Sequence, residues 1–375
     1  MKPLLICCLS FLFLFSCSDN EEIQAESHAF TISGTLLAPN NQDPISNAKV
    51  EAYLGTTLKG NTLTNNTGEF NIALPAGAYR LKLSKGLFST QQEINVSSET
   101  TLAHFTLDSL PKIGVVTGYY DNIENVLVDI GLVNPLTGAP LFDIIDGVNT
   151  SRLPYNHSSK HGNHGEENHK KSSQNPQLTP NVSFDFGDLI NDPALLETYD
   201  IIFLNCGLID GFSDLDSNLL NYVSNGGFLY ATDWASLYLT SITNNGADYL
   251  SFLTPERSGI SLSTNATILN GNLNAWLFLN FGITIDDTIE INEFLNLWQV
   301  VDSYDPNTCI SWLSGPVTYS TDSGSETAIK DLAFTFQVGS GAVFYSSFHT
   351  ENTDQGFSDV DRIMEYLVFE MSDIE

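Results

Sequence analysis

The spacing of apolar residues changes its period at Lys112, and that change restricts this 375-residue chain to two sheets of different kinds. Before it, Phe30 to Leu36, Ala48 to Tyr53, Glu69 to Leu74 and Tyr79 to Leu83 alternate apolar with polar residues. Successive side chains on a strand point to opposite faces, so alternation buries one face only. After it, Ile113-Gly114-Val115-Val116, Ile201-Ile202-Phe203-Leu204 and Phe228-Leu229-Tyr230-Ala231 are apolar without interruption. Strands of that kind are buried on both faces, as where helices cover a parallel sheet. The expectation is a small all-β sandwich over 30–108, followed over 111–375 by an α/β domain with a flavodoxin-like parallel sheet.

Within the first segment, Asn, Gly and Pro clusters separate the strands, and Gly68 and Gly77 suit turns that need a positive φ. Phe70, Tyr79 and Leu81 point to the core, and nothing there suggests chemistry. In the second segment, Asp121 follows the first apolar strand and is expected to cap a helix with Glu124 three residues on, its apolar face being Ile123, Val126, Leu127 and Ile130. A second helix is expected from Ser213 through Val223, stopped by Gly226-Gly227. The chain closes with an apolar strand from Gly341, then His349 and Glu351, and a helix near Asp359 to Phe369.

The first residues carry a different signal. Lys2, an apolar run from Leu4 to Phe15 and a small Ser16 make a secretory signal peptide over 1–16. Spanning a bilayer takes roughly 20 apolar residues, so the run is not itself an anchor. The net charge of −31 repels phosphate backbones and excludes nucleic acid as a partner class. A hydrophobic content of 42% is enough for packed cores, so the remainder is expected to be globular. Beyond Cys17, only Cys206 and Cys309 remain, and an oxidising compartment leaves a disulfide between them open.

Three stretches imitate sites. His157, His161, His164 and His169 lie in a polar stretch over 149–180, read as a disordered surface loop with weak metal-binding candidates. Asp214-x-Asp216-x-Asn218 opens like a calcium loop, but Leu219 and Asn225 stand where Gly and Glu are needed, so helix capping explains it. An insertion from about 255 to 327 holds Trp276, Phe278, Phe281, Trp298, Trp312 and Tyr319, read as core rather than as a sugar platform.

Leu14-Phe15-Ser16-Cys17 resembles the signal of bacterial lipoproteins, which implies acylation of Cys17. The acidic tether over 17–29, with Ser18-Asp19-Asn20-Glu21-Glu22, resembles the export tag of surface lipoproteins of the Bacteroidetes group. Together these imply an outer-membrane lipoprotein on the cell surface, partnered with the membrane through its lipid.

Ile32-Ser33-Gly34-Thr35, Pro44 to Val50, Thr64 to Phe70 and Leu74 to Tyr79 resemble the carboxypeptidase regulatory-like family, a transthyretin-like or carbohydrate-binding-like sandwich. That implies a spacer or interaction module. The order of Tyr199-Asp200 strand, helix, Gly226-Gly227, strand and late Phe348-His349-Thr350-Glu351 is similar to the class I glutamine amidotransferase-like superfamily, including its ThuA-like branch. There the histidine and glutamate activate a cysteine on a sharp turn, where this chain has Thr232-Asp233-Trp234.

A carboxylate has no proton to give up and attacks amides poorly, so amidotransferase activity is not expected. Cys206, at the end of the preceding strand, looks misplaced for attack. Asp233, His349 and Glu351 then form either a relic or a site that orients a water or binds a metal. The reading adopted is a non-catalytic envelope-binding protein for a glycan or another envelope component, with no cofactor. The alternative is a hydrolase using Asp233, His349 and Glu351.

Overall fold

The computed structural model describes residues 28–148, 178–208, 216–244, 246–256, 258–281, 288–292, 294–350 and 358–370. Cys17, the four histidines from His157 to His169, and Glu351 therefore lie outside the described residues.

Alternation produces the sandwich. Its strands are β1 (Ala29–Leu37), β2 (Lys49–Leu54), β3 (Thr57–Leu63), β4 (Glu69–Pro75), β5 (Gly77–Lys85), β6 (Phe88–Val96), β7 (Thr100–Thr101) and β8 (Phe105–Thr106). One sheet runs β4-β1-β7, with β8 also on β1, and the other β3-β2-β5-β6. Ile32 pairs with Ile72 and Gly34 with Phe70. Ile32, Phe70, Tyr79 and Leu81 are buried between the sheets.

Gly68 has φ +72°, and a Cβ there would lie 2.5 Å from the Leu36 carbonyl oxygen. Gly77 departs from expectation: it opens β5 as ordinary strand and is not among the positive-φ residues. The turn before it is made by Pro75 and Ala76 without a left-handed residue.

The second domain carries β9 (Ile113–Val116), β10 (Asp143–Ile145), β11 (Ile201–Leu204), β12 (Phe228–Thr232), β13 (Thr243–Asn244), β14 (Ala247–Asp248), β15 (Leu250–Phe252) and β16 (Thr264–Ile268). The remaining strands are β17 (Thr288–Ile291), β18 (Val301–Tyr304), β19 (Cys309–Thr321), β20 (Gly324–Val338) and β21 (Gly341–Ser346). Its helices are α1 (Ile123–Asp129), α2 (Phe186–Asn191), α3 (Pro193–Leu196), α4 (Asp216–Ser224), α5 (Gly271–Phe281) and α6 (Asp359–Glu370).

A nine-stranded sheet runs β10-β9-β11-β12-β21-β20-β19-β16-β17. From β10 to β21 the strands are parallel, in the doubly wound order 2-1-3-4-5 expected of a flavodoxin-like sheet. From β21 onward every pairing is antiparallel. The sheet is thus mixed rather than parallel throughout. The insertion does not form a separate lobe, because its strands β16, β17 and β19 add to the edge that β20 offers.

Continuous apolar strands supply both faces. Ile201, Phe203, Tyr230 and Phe344 face α1, α5 and α6, while Ile202, Leu204, Leu229 and Val343 face α2 and α4. Gly226, at φ +116°, ends α4, with its N–H and that of Gly227 donating to Val223 and Tyr222. Trp298, Trp312 and Tyr319 are buried, as a core role requires, whereas the side chains of Trp276, Phe278 and Phe281 lie outside the description. Cys206 and Cys309 are both buried and free, so the disulfide is not formed.

Candidate functional site

Four neighbouring parallel strands end on the same side of the sheet, and each delivers polar groups there: Asp121 after β9, Asn205 and Cys206 after β11, Thr232 and Asp233 from β12, His349 and Thr350 after β21. In such sheets the crevice beyond the carboxyl ends, where strand order reverses, is the usual ligand position. Here the order reverses at β9, flanked by β10 and β11.

Asp121 does something other than the expected capping. The N-cap of α1 is Asn122, with no side-chain cap bond. Asp121 is 1% exposed and turns inward. Its Oδ2 accepts the Cys206 N–H at 2.7 Å and the Thr232 hydroxyl, and its Oδ1 accepts the Thr350 N–H at 2.7 Å. One carboxylate therefore ties three strand ends together, which outweighs a helix cap because a buried donor such as the Thr350 N–H would otherwise lose its acceptor. Glu124 is likewise not a cap partner: its Oε2 accepts from Asn205 Nδ2 at 2.9 Å in the interior.

Asp233 stands at the sharp turn between β12 and a 3₁₀ helix (Asp233–Leu239), with φ +41°. A non-glycine residue in that region is uncommon and strained, and such strain gathers at functional positions. The turn holds through the Asp233 carbonyl, which accepts from Tyr345 Oη at 3.2 Å, and Asp233 Oδ1, which accepts the Gln299 N–H at 2.6 Å. Oδ2 is left facing His349 Nε2 at 3.4 Å and Cys206 Sγ at 3.6 Å.

The structure thus places Asp233 and His349 together and adds Cys206, which the sequence reading had set aside as misplaced. All three are buried, His349 completely. With Tyr120, Trp234, Leu295 and Asn296 they line a cavity of about 10 Å³, room for roughly one water. The Tyr120 ring lies edge-on to the imidazole at 6.5 Å.

Charge in this interior is balanced locally. Burial alone pulls the His349 pKa down, but its neighbours Cys206, Asp121 and Asp233 outweigh it and hold the imidazole above its ordinary range. Burial, reinforced by the Asp233 carboxylate, pushes the Cys206 thiol up to about 12. A thiol held that high stays protonated at neutral pH, and a protonated thiol is a poor nucleophile.

Sequence reasoning missed Asp121 as a tie, along with Gln299 and Asn205. A signal was present for Asp121, since an acid just beyond a doubly buried strand sits at a ligand-bearing sheet end. None was present for Gln299, whose contribution is a backbone N–H.

Beside this small cavity lies a larger groove of about 160 Å³ between Trp234, Leu237, Phe252, Leu253, Glu256 and Gln299. Trp234 walls both spaces, with its indole N–H donated to the Leu297 carbonyl at 3.1 Å.

Solved structures similar to this chain include a ThuA-like protein of Parabacteroides merdae (12% identity, 70% of this chain and 88% of that chain, TM-score 0.35). A ThuA-like protein of Bacteroides uniformis aligns at 8% identity over 49% of this chain and 74% of its own, with a TM-score of 0.32. The 5-hydroxyisourate hydrolase of Klebsiella pneumoniae aligns at 19% identity over 21% of this chain and 91% of its own, with a TM-score of 0.19. No curated protein matches the chain. Residues 31–108 match the family model described as the carboxypeptidase regulatory-like domain, and the sandwich is a domain of that kind.

Proposed function

We propose that this chain is a lipid-anchored binding protein of the cell envelope whose α/β domain does not hydrolyse amides and whose larger groove at Trp234 takes a glycan. The observation that carries the reading is the state of the sharp turn after β12, the elbow of the fold. Asp233 occupies it in place of a cysteine, and the nearby Cys206 thiol is buried and held at about 12. Neither group is a competent amide nucleophile at neutral pH. An indole face beside a partly polar groove suits a sugar ring, which stacks its apolar face on an aromatic.

The anchor rests on the Leu14-Phe15-Ser16-Cys17 sequence. No described helix is long and apolar enough to cross a membrane, so attachment through helices would need residues elsewhere. Expressed in a bacterium, the full chain should sediment with membranes, and Cys17→Ser should leave it in the soluble fraction. Sedimentation unchanged by that substitution contradicts lipid anchoring.

Purified full-length protein titrated with soluble envelope polysaccharide should show saturable quenching of tryptophan fluorescence. Trp234→Ala should weaken the affinity at least about ten-fold with an unchanged melting temperature. Equal affinity in the variant removes the groove from the reading. Glutamine hydrolysis abolished by His349→Ala would replace the reading with the hydrolase alternative, which the strained φ of Asp233 and its contact with His349 favour.

A further inference from the structure

The small cavity has a property that binding in the larger groove does not use. Cys206, Asp233 and His349 line it, and one donor atom from each lies within 4.8 Å of the other two. Zinc–sulfur bonds near 2.3 Å and zinc–nitrogen or zinc–oxygen bonds of 2.0–2.1 Å at tetrahedral angles give edges of roughly 3.5 Å for S···O and roughly 3.3 Å for N···O. The observed edges are 3.6 Å for Cys206 Sγ to Asp233 Oδ2 and 3.4 Å for His349 Nε2 to the same oxygen. An ordinary hydrogen-bonded ion pair closes tighter than this, near 2.8 Å. We infer that Cys206, Asp233 and His349 hold one divalent transition metal ion of the zinc class, with the fourth position open to a single water in the cavity lined by Tyr120 and Trp234.

The donor set points the same way. A thiolate, an imidazole and a carboxylate together select zinc over magnesium or calcium, which prefer all-oxygen shells. Coordination takes a thiolate and a neutral imidazole, so any proton on either ligand atom leaves to solvent as the ion binds.

The surroundings already fix the ligands. Asp121 Oδ2 and Thr232 Oγ1 both accept the Cys206 N–H, and the Gln299 N–H holds Asp233 Oδ1 so that Oδ2 faces inward. Such outer partners orient ligands before the ion arrives. The inference is independent of what the groove binds, and its readout is metal content, so its failure leaves the glycan reading intact.

The test uses full-length protein produced in cobalt-supplemented medium and purified without metal affinity. His157, His161, His164 and His169 are replaced by Gln and Cys7, Cys8 and Cys309 by Ala, so that Cys17 is the one thiol besides Cys206 and no histidine cluster contributes. The expected result is one cobalt per chain and a near-ultraviolet sulfur-to-cobalt charge-transfer band. Cys206→Ser in that background should abolish the band and weaken retention against a chelator at least about ten-fold. Asp233→Asn should weaken retention while keeping the band. A cobalt-free chain overturns the inference, and so does a band that survives Cys206→Ser. Melting of each metal-free variant at the parent temperature separates ligand loss from unfolding.

Discussion

At the residue scale, Asp121 is the most consequential side chain whose role as a tie differs from the helix cap expected of it. Its carboxylate is buried and its pKa is pushed up, chiefly by desolvation, against the downward pull of the His349 charge, the Thr232 hydroxyl and the N–H groups of Cys206 and Thr350. Asp121→Asn keeps the shape but turns an NH₂ toward one of those donors. Leaving a buried donor unsatisfied costs roughly 1–3 kcal/mol, so the variant should lose about that much, read as a lower denaturant midpoint with an unchanged slope. An unchanged midpoint would mean that the three strand ends hold without this tie. Gly118 belongs to the same knot: a Cβ there would stand 2.0 Å from the Cys206 carbonyl oxygen, so only glycine lets the two strand ends approach. That requirement cannot be read from Gly118-Tyr119-Tyr120, because the partner is far along the chain.

At the element scale, periodicity was informative wherever one element alone set the pattern. The four alternating strands expected in the sandwich match β1, β2, β4 and β5, with β2 starting one residue later than expected, and the apolar runs fall within β9, β11 and β12. β3 and β6 escaped. Thr57–Leu63 buries no residue fully, and Phe88–Val96 carries Gln91, Gln92 and Glu93 exposed in a row, so neither alternates cleanly. Both were recruited by pairing with β2 and β5 rather than by their own pattern. The long hairpin β19–β20 is the same case on a larger scale. Its position was visible as an aromatic-rich stretch, but its membership of the main sheet depends on β20 finding β21. α6 was visible at both ends, with Ser358 and Asp361 exchanging side-chain and backbone bonds as a capping box.

At the scale of the whole molecule, sandwich and α/β domain share one continuous core. Phe88 meets Phe369 of α6 edge-on at 4.9 Å, and a Cβ on Gly86 would strike the Phe369 carbonyl at 1.8 Å. Glu365 of α6 lies in this seam near Lys85 and Asp43. Burial pushes its carboxyl up to about 7, with Asp43 adding to the shift and Lys85 and Arg362 opposing it. A carboxyl raised in the folded state binds more protons there than in the unfolded chain, so stability falls as pH rises from about 4.5 to about 7 and then levels. Glu365→Gln removes that ionisation cost. The variant should match the parent below about pH 4.5 and exceed it by up to roughly 3 kcal/mol above pH 7. A stability difference that does not change with pH would place Glu365 in water rather than in the seam. By itself the sequence determined the two kinds of sheet, the order of the elements and the presence of an acid at the elbow, because period and turn chemistry are local. Only the tertiary structure decided that Asp121 is a tie and not a cap, that Cys206 joins Asp233 and His349, and that the insertion completes the sheet. Each of those outcomes depends on donors and strand edges contributed by chain far away, and local propensity carries no information about where those will be.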